Sequence, residues 1–171
     1  MYARVRPYHL IGAIGGFLTV LTAIISLAVS TSYYISAEWV IIVNMLLIGS
    51  NGLIATYFFG AFSASRDSLI KVGSLIAGIG LGFNVLISIL QMAGVYVFVL
   101  ALLGALVMMA GVVIACIKFI MLFQRDAFVV VFCVFIFLGL LLSLFWTWAS
   151  LISGAGLGGL LIYFYVHNIT Y

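Results

Sequence analysis

Charged residues are scarce in this sequence. Only 5% of its 171 residues are charged, whereas 68% are hydrophobic. A soluble globular domain carries about 25% charged residues, so this chain cannot cover itself with a surface that water solvates. The net charge of +3 is too small and too scattered for the clustered basic face of a nucleic-acid-binding protein. The composition therefore argues against nucleic acid as a partner and favours lipid as the solvent.

The long apolar runs also lack ionisable residues at mid-depth. Lys71 and Lys118 are expected within a turn or two of one membrane face, where their side chains reach water, and Glu38 is expected at the opposite face. Proton relays in membranes need intramembrane ionisable groups, so a proton-coupled exporter is disfavoured. The longest predicted loop, around Thr31 to Ala37, has about eight residues and cannot hold a soluble catalytic domain. We therefore predict that the chain is not an enzyme and that residues 1–171 form one transmembrane domain.

Cysteine and histidine are too few to predict a metal site or a cofactor. Cys116 and Cys133 both fall inside apolar runs, and two thiols cannot complete the four ligands of zinc, so packing is the predicted role. His9 and His167 could ligate a haem axially. Because they flank the two ends of the chain, interfacial positions are the favoured interpretation.

The apolar runs are continuous and about 20 residues long, which is the length that an α-helix needs to cross a bilayer. Barrel strands would instead alternate in polarity. The predicted fold is an all-α integral membrane protein with a bundle of about six transmembrane helices. An alternative has five spans and a re-entrant or interfacial last segment. The six predicted spans are Leu10–Ser30, Glu38–Ser63, Leu69–Gln91, Val95–Phe123, Ala127–Trp146 and Ala149–His167.

The orientation follows from the basic and aromatic residues. Cytoplasmic loops collect Lys and Arg, and Trp prefers membrane interfaces. With six spans, all the basic residues lie on one side, which predicts that both termini are cytoplasmic. The N-terminal segment imitates a signal peptide, and we expect it to be kept as the first span. The basic residues are Arg4, Arg6, Arg66, Lys71, Lys118 and Arg125; the aromatic residues expected on the other side are Tyr33, Tyr34, Trp39, Tyr96, Trp146 and Trp148.

An internal repeat is suggested by Arg6, Arg66 and Arg125, which each precede a span. They lie 60 and 59 residues apart, and the last two are followed by Asp. Three parallel helical hairpins would give this spacing, and parallel repeats occur in transporters. The alternative is that any two spans with their loops occupy about this length.

Small residues recur at intervals of four in five of the six predicted spans. Lipid removes the hydrophobic drive between helices, so close approach of backbones across small residues supplies dispersion contacts instead. These positions predict tight helix packing against other helices of the chain or against another subunit. They are Gly12 and Gly16; Gly52, Thr56 and Gly60; Gly78 and Gly82; Gly111 and Ala115; and Gly154 and Gly158.

Three amides, Asn44, Asn51 and Asn84, lie well inside predicted spans. Asn44 and Asn51 are seven residues apart and so share one face of their helix. They could line a polar path for water, an ion or a solute. The favoured alternative is that they bond neighbouring helices together.

The leading functional hypothesis is a non-catalytic membrane subunit that packs into a larger energy-converting, translocation or envelope complex. It rests on the short loops, the missing catalytic groups and the small-residue faces. The rival hypothesis is a small channel or facilitator, alone or as copies of itself, with the three amides along the path. A redox anchor that holds haem or quinone at His9 and His167 is a third hypothesis.

Overall fold

A computed structural model of the protein describes residues 6–31, 36–95, 97–143, 145–146, 149–169 and 171. Within these residues the predicted all-helical class is confirmed, with six helices whose bounds agree with the predicted spans to about one helical turn. Arg4, Tyr33, Tyr34, Tyr96 and Trp148 lie outside the described residues. The helices are α1 (Arg6–Ser30), α2 (Ala37–Ala64), α3 (Ser68–Met92), α4 (Phe98–Leu122), α5 (Ala127–Ser143) and α6 (Ser150–Val166).

The first four helices differ in length from the last two. Helices α1 to α4 have 25 to 28 residues and mean hydropathies of 1.7 to 2.8, so they are long and apolar enough to cross a membrane. Helices α5 and α6 have 17 residues each, or about 26 Å at 1.5 Å per residue. Four of the described helices are therefore consistent with a membrane protein by their length and composition, and α5 and α6 are shorter apolar helices.

The six helices form a closed ring in which chain neighbours run antiparallel. Gly15 of α1 lies against Ile54 of α2, and a Cβ on Gly139 of α5 would meet Ser153 of α6. Each helix contacts the next one along the chain, and α1 contacts α6 to close the ring. The contact between α4 and α5 is the least extensive.

This alternation gives the bundle two different ends. We call one the basic end, because Arg6, Arg66, Lys71, Lys118 and Arg125 lie on the helix ends and loops there. The opposite end is the tryptophan end, where Trp39 lies in the first turn of α2 and Trp146 follows α5. The described basic residues and the described tryptophans therefore lie at opposite ends.

The recurring Arg-Asp pairs have a local structural role. Asp67 Oδ1 accepts hydrogen bonds from the backbone of Leu69 and Ile70 at 2.9 and 3.2 Å. Asp126 Oδ1 accepts in the same way from Phe128 and Val129. Both aspartates thus cap the first turn of a helix, where backbone N–H groups lack partners.

Close approach of the helices depends on several glycines. A Cβ built on Gly16 would lie 2.6 Å from the backbone nitrogen of Gly158, and one on Gly111 would lie 2.6 Å from the carbonyl oxygen of Gly73. A Cβ on Gly73 would lie 2.9 Å from the nitrogen of Ala115. Since these neighbours are backbone atoms, a larger residue there would push α1 from α6, or α3 from α4.

Other predicted packing positions have different surroundings. Gly12 lies against Tyr57 and Leu161, and Gly154 lies against the carbonyl oxygen of Gly16. A Cβ built on Gly78 would lie 3.1 Å from the ring of Phe59, and one on Gly60 would overlap the ring of Tyr8. By contrast, a Cβ on Gly52 or Gly82 would have no described atom within 4 Å, because both positions face outward from the ring.

Candidate functional site: a central cavity above an aromatic plug

The ring of helices encloses a central cavity of about 300 Å³. This volume is at the lower end of the roughly 300 to 1,000 Å³ that is usual for small-molecule sites. All six helices contribute to its wall, so the site depends on the closed ring. The lining residues are Thr19, Leu47, Asn51, Ile54, Phe58, Leu81, Asn84, Ile87, Ser88, Met108, Val112, Ile136, Leu140, Ser143, Ser150, Ser153, Gly154 and Leu157.

The wall of the cavity changes in polarity along the bundle axis. Ser88, Ser143 and Ser153 lie on the parts of their helices near the tryptophan end. Phe58 and Val112 lie closer to the basic end and are apolar. The cavity therefore has a hydroxyl-rich upper part towards the tryptophan end and an apolar lower part.

Most hydroxyl groups of the wall already donate a hydrogen bond within the protein. The hydroxyls of Thr19, Ser88 and Ser153 donate to carbonyl oxygens of their own helices at 3.0, 2.9 and 3.1 Å. They therefore present oxygen lone pairs to the cavity. Asn84 donates its amide nitrogen to the sulfur of Met108 at 3.7 Å, whereas Asn51 makes no hydrogen bond to another described residue.

A second cavity of about 270 Å³ adjoins the first towards the tryptophan end. The two share Thr19, Leu47, Ser143 and Ser150 in their walls. The upper cavity adds Thr22, Ala23, Ser26 and Val43. Together they place two adjoining cavities between the middle of the bundle and the tryptophan end.

Below the cavity, aromatic side chains fill the bundle at the basic end. We call this group the aromatic plug; it consists of His9, Tyr57, Phe119, Phe164 and Tyr171. The rings of Phe119 and Phe164 meet edge to face with centroids 5.3 Å apart, and the ring of Tyr171 lies 4.8 Å from that of Phe119. Phe164 is fully buried.

Hydrogen bonds join three members of the plug. The hydroxyls of Tyr57 and Tyr171 lie 2.6 Å apart, and Nε2 of His9 lies 3.3 Å from the hydroxyl of Tyr171. Burial raises the pKa of Tyr171 above its ordinary value, so its hydroxyl keeps its proton. Nδ1 of His9 is buried and has no hydrogen-bond partner among the described residues.

The end of the chain is turned into the bundle by a helix cap. Asn168 adopts a left-handed conformation with φ of 52°, which Asn tolerates better than most residues. The backbone N–H of Ile169 then donates to the carbonyl oxygen of Phe164 at 2.9 Å. This pattern is a Schellman motif, and it reverses the chain so that Tyr171 enters the plug.

The three amides named from the sequence separate into two groups. Asn51 and Asn84 lie in the cavity wall, on α2 and α3. Asn44 is buried, and its amide nitrogen donates to the carbonyl oxygen of Val40 on its own helix at 2.9 Å. The described hydrogen bond of Asn44 therefore joins it to α2 itself and not to a neighbouring helix.

The two histidines also have different surroundings. His9 is fully buried in the plug, and it lies near the start of α1 at the basic end, so its predicted interfacial depth stays a prediction. His167 is exposed, and its Nδ1 lies 3.0 Å from the carbonyl oxygen of Tyr163. Among the described residues, no three His, Cys, Asp or Glu side chains are grouped as metal ligands would be.

Cys116 and Cys133 are buried free thiols that contact each other where α4 meets α5. Sequence reasoning did not anticipate this contact or the role of Tyr171. Asn168 shortly before the end of the chain was a signal for the helix cap. The serines and threonines of the cavity wall carried no comparable signal, because such residues are frequent in apolar helices.

The chain matches no known family, no curated protein and no solved structure. Any assignment of function therefore rests on the geometry of the cavity, the plug and the outer surface of the ring.

Proposed function

We propose that the chain is a multi-pass membrane protein with six spans and with both termini in the cytoplasm. The four long apolar helices support membrane insertion. The separation of the described basic residues from Trp39 and Trp146 supports the orientation, since basic residues favour the cytoplasmic side. The contact that closes α1 onto α6 favours six spans over five, because an interfacial last segment would leave the ring open.

Two exposed positions test this orientation. Ser36 precedes α2 at the tryptophan end, and Gln124 follows α4 at the basic end. Cysteines placed there are expected to react with a membrane-impermeant maleimide from outside and from the cytoplasm, respectively. The buried Cys116 and Cys133 give the background in the unaltered chain. Labelling of both sites from the same side would contradict the proposed orientation.

We further propose that the protein is a non-catalytic subunit of a larger membrane complex. The observation that carries this proposal is an open groove on the outside of the ring, formed by Gly52 and Thr56 of α2 and Gly82 of α3. Gly52 and Gly82 face open space, and Thr56 is exposed. Small residues on an outer face allow the backbone of another helix to come close.

The three groove residues lie at similar heights along the bundle. Phe59 lies over Gly78, and α2 and α3 run in opposite directions. Thr56 on α2 and Gly82 on α3 each lie about one helical turn from this contact towards the tryptophan end. They are therefore at the same height along the bundle. Gly52 lies one further turn away on the same side of α2. The groove therefore extends over about one helical turn, or roughly 6 Å, which is the spacing of the small residues at close helix crossings.

The test compares two matched substitutions. Gly82→Leu is expected to reduce the mass of the complex that is purified after mild solubilisation, because Leu fills the groove. Ala110→Leu places the same side chain on an exposed part of α4 and is expected to keep the mass unchanged. A native mass of one chain in the unaltered protein, or equal behaviour of both variants, would contradict the subunit proposal.

A small channel or facilitator is a second candidate, favoured by the presence of Asn51 and Asn84 in the wall of an axial cavity. The aromatic plug ends this path at the basic end, so passage would require the plug to move. The two candidates differ in native mass and in flux. Two results together would support the facilitator over the subunit. The purified assemblies would contain only this chain, and vesicles that contain it would take up solute in a way that Asn51→Leu abolishes.

A further inference from the structure

We propose that the central cavity is a binding site for one uncharged, amphipathic small molecule, held with its apolar part towards the plug and its polar group at Asn51. This site does not depend on whether the protein is a subunit or a facilitator. The inference rests on four features of the cavity: its size, its lack of charge, its gradient of polarity and the free amide of Asn51.

The size sets an upper limit on the ligand. A cavity of about 300 Å³ is roughly twice the 150 Å³ cavity that binds benzene in an engineered protein. It therefore accepts a molecule with one or two rings, or an equally compact aliphatic molecule. A whole membrane lipid is too large to fit within it.

The charge of the wall limits the ligand to an uncharged molecule. None of the described residues that line the cavity is ionisable. A charged ligand that entered this cavity would lose its hydration without gaining an ion pair, and the loss of hydration is costly. The basic residues lie at the opposite end of the bundle, beyond the plug, and so cannot neutralise an anion here.

The polarity of the wall sets the orientation of the ligand. Phe58, Leu81 and Val112 surround the lower part, where an apolar body is buried favourably. The upper part contains the hydroxyls of Ser88, Ser143 and Ser153. An amphipathic molecule that arrives from the tryptophan end would therefore keep its polar group uppermost.

The hydrogen bonds of the wall identify the recognising group. The hydroxyls of Thr19, Ser88 and Ser153 are committed to carbonyl oxygens, so they cannot donate to a ligand without breaking those bonds. Asn51 has its amide nitrogen and oxygen free of described partners. It can donate to a carbonyl group or accept from a hydroxyl group, and a ketone or an alcohol is therefore the expected polar group.

The test uses three probes with the same ring system: 1-acetylnaphthalene, naphthalene and 1-naphthoate. The protein is placed in lipid nanodiscs, and binding is measured by equilibrium dialysis, with empty nanodiscs to subtract partition into lipid. We expect 1-acetylnaphthalene to saturate at one molecule per chain. Naphthalene, which lacks the carbonyl group, should bind about tenfold more weakly, and 1-naphthoate should show no saturable binding.

Two variants assign the binding to Asn51. Asn51→Leu is expected to weaken the binding of 1-acetylnaphthalene about tenfold, to the affinity of naphthalene. The affinity for naphthalene itself should stay unchanged. Asn44→Leu makes the same change on the same helix but outside the cavity, and it should leave both affinities unchanged. Absence of saturable binding, preference for 1-naphthoate, or equal effects of the two variants would overturn the proposal.

Discussion

The two halves of the bundle are built from the same six helices but differ in what fills the space between them. At the basic end the interior is filled by aromatic rings, with Phe164 in contact with Phe119 and Tyr171. Towards the tryptophan end the interior positions are taken by smaller side chains such as Thr19, Ser88 and Ser153, and a cavity remains. Each helix contacts the next one around the ring, and the contact between α4 and α5 is the least extensive.

The comparison associates the cavity with smaller side chains in its wall and the filled half with aromatic rings. Protein interiors are normally packed without large voids, so a void of about 300 Å³ in one half only is a local property. The backbone contacts at Gly16 and Gly111 hold the helices close enough for large rings to close the other half. Substitutions in the two halves should therefore have different consequences.

The largest effect is expected for Gly111→Leu. A Cβ at Gly111 would overlap the backbone of Ala77, so the side chain cannot be accommodated unless α3 and α4 separate. Overpacking usually costs about 1 to 3 kcal/mol, but rigid backbone cannot give way here, so we expect an exceptional loss of more than about 5 kcal/mol and poor recovery of folded protein. Gly82→Leu makes the same change at an open position and should change the stability of the isolated chain by less than about 0.5 kcal/mol.

These two variants can be compared by the temperature at which each purified chain loses its helical circular dichroism in one detergent. A Gly111→Leu protein as stable as the Gly82→Leu protein would show that α3 and α4 are not held by this contact. The filled half would then owe its closure to the aromatic side chains alone.

A smaller effect is expected when the plug itself is reduced. Phe164→Ala removes a fully buried ring and should cost about 3 to 5 kcal/mol. Leu157→Ala enlarges a wall that already faces a void, and its cost should lie at or below the lower end of the roughly 2 to 5 kcal/mol range for such truncations. Unfolding in a denaturing detergent measures both. Equal losses would mean that the two halves are packed alike.

The hydrogen bonds of the plug are expected to contribute less than its rings. Tyr171→Phe keeps the ring but removes the hydroxyl that contacts Tyr57 and His9. Because Tyr57 is buried and loses its partner, we expect a cost of about 1 to 3 kcal/mol. Tyr165→Phe is a matched control on α6, outside the plug, and should have little effect. A neutral Tyr171→Phe substitution would show that the chain end does not close the bundle.

The all-helical class and the helix positions could be predicted from the sequence because they depend on local features. Continuous apolar runs set the lengths of the helices, and Asp67 and Asp126 mark the start of α3 and α5 by capping them. The Arg-Asp recurrence leaves repetition and the ordinary length of two spans with their loops as alternatives, and in the structure the aspartates cap helices locally. Repetition of three hairpins stays a prediction.

The cavity and the plug could not be predicted because they depend on which helices become neighbours. Seven residues separate Asn44 from Asn51, and this spacing predicts a shared face. Of these two amides, only Asn51 lines the cavity in the structure. Asn44 is also buried, but it lies outside the cavity wall, because the buried face of α2 borders the neighbouring helices as well as the cavity. The burial of His9 likewise depends on Tyr171, which is 162 residues away in the sequence.

The smallest effect concerns the outer rim of the filled half, where Lys118 Nζ lies 2.9 Å from Asp67 Oδ2. This pair joins the loop before α3 to the end of α4. The hydrogen bond from Lys118 lowers the pKa of Asp67 below its ordinary value of 3.8. A carboxyl group with a lowered pKa in the folded state contributes stability above its unfolded pKa, and this contribution is lost as the pH falls through the folded value.

We therefore expect the contribution of this pair to be constant near neutral pH and to disappear on acidification below about pH 4. Asp67→Asn keeps a residue that can cap α3 but removes the charge, so it isolates the ion pair. Its unfolding temperature at pH 7 should fall by less than about 4 °C, because the pair is partly exposed, and the difference from the unaltered chain should become smaller as the pH is lowered from 7 to 3. Glu38→Gln, a carboxyl-to-amide change at the tryptophan end with no described ion pair, is the control. A difference that stays constant from pH 7 to pH 3 would assign the effect to the helix cap, because the cap does not require the partner Lys118.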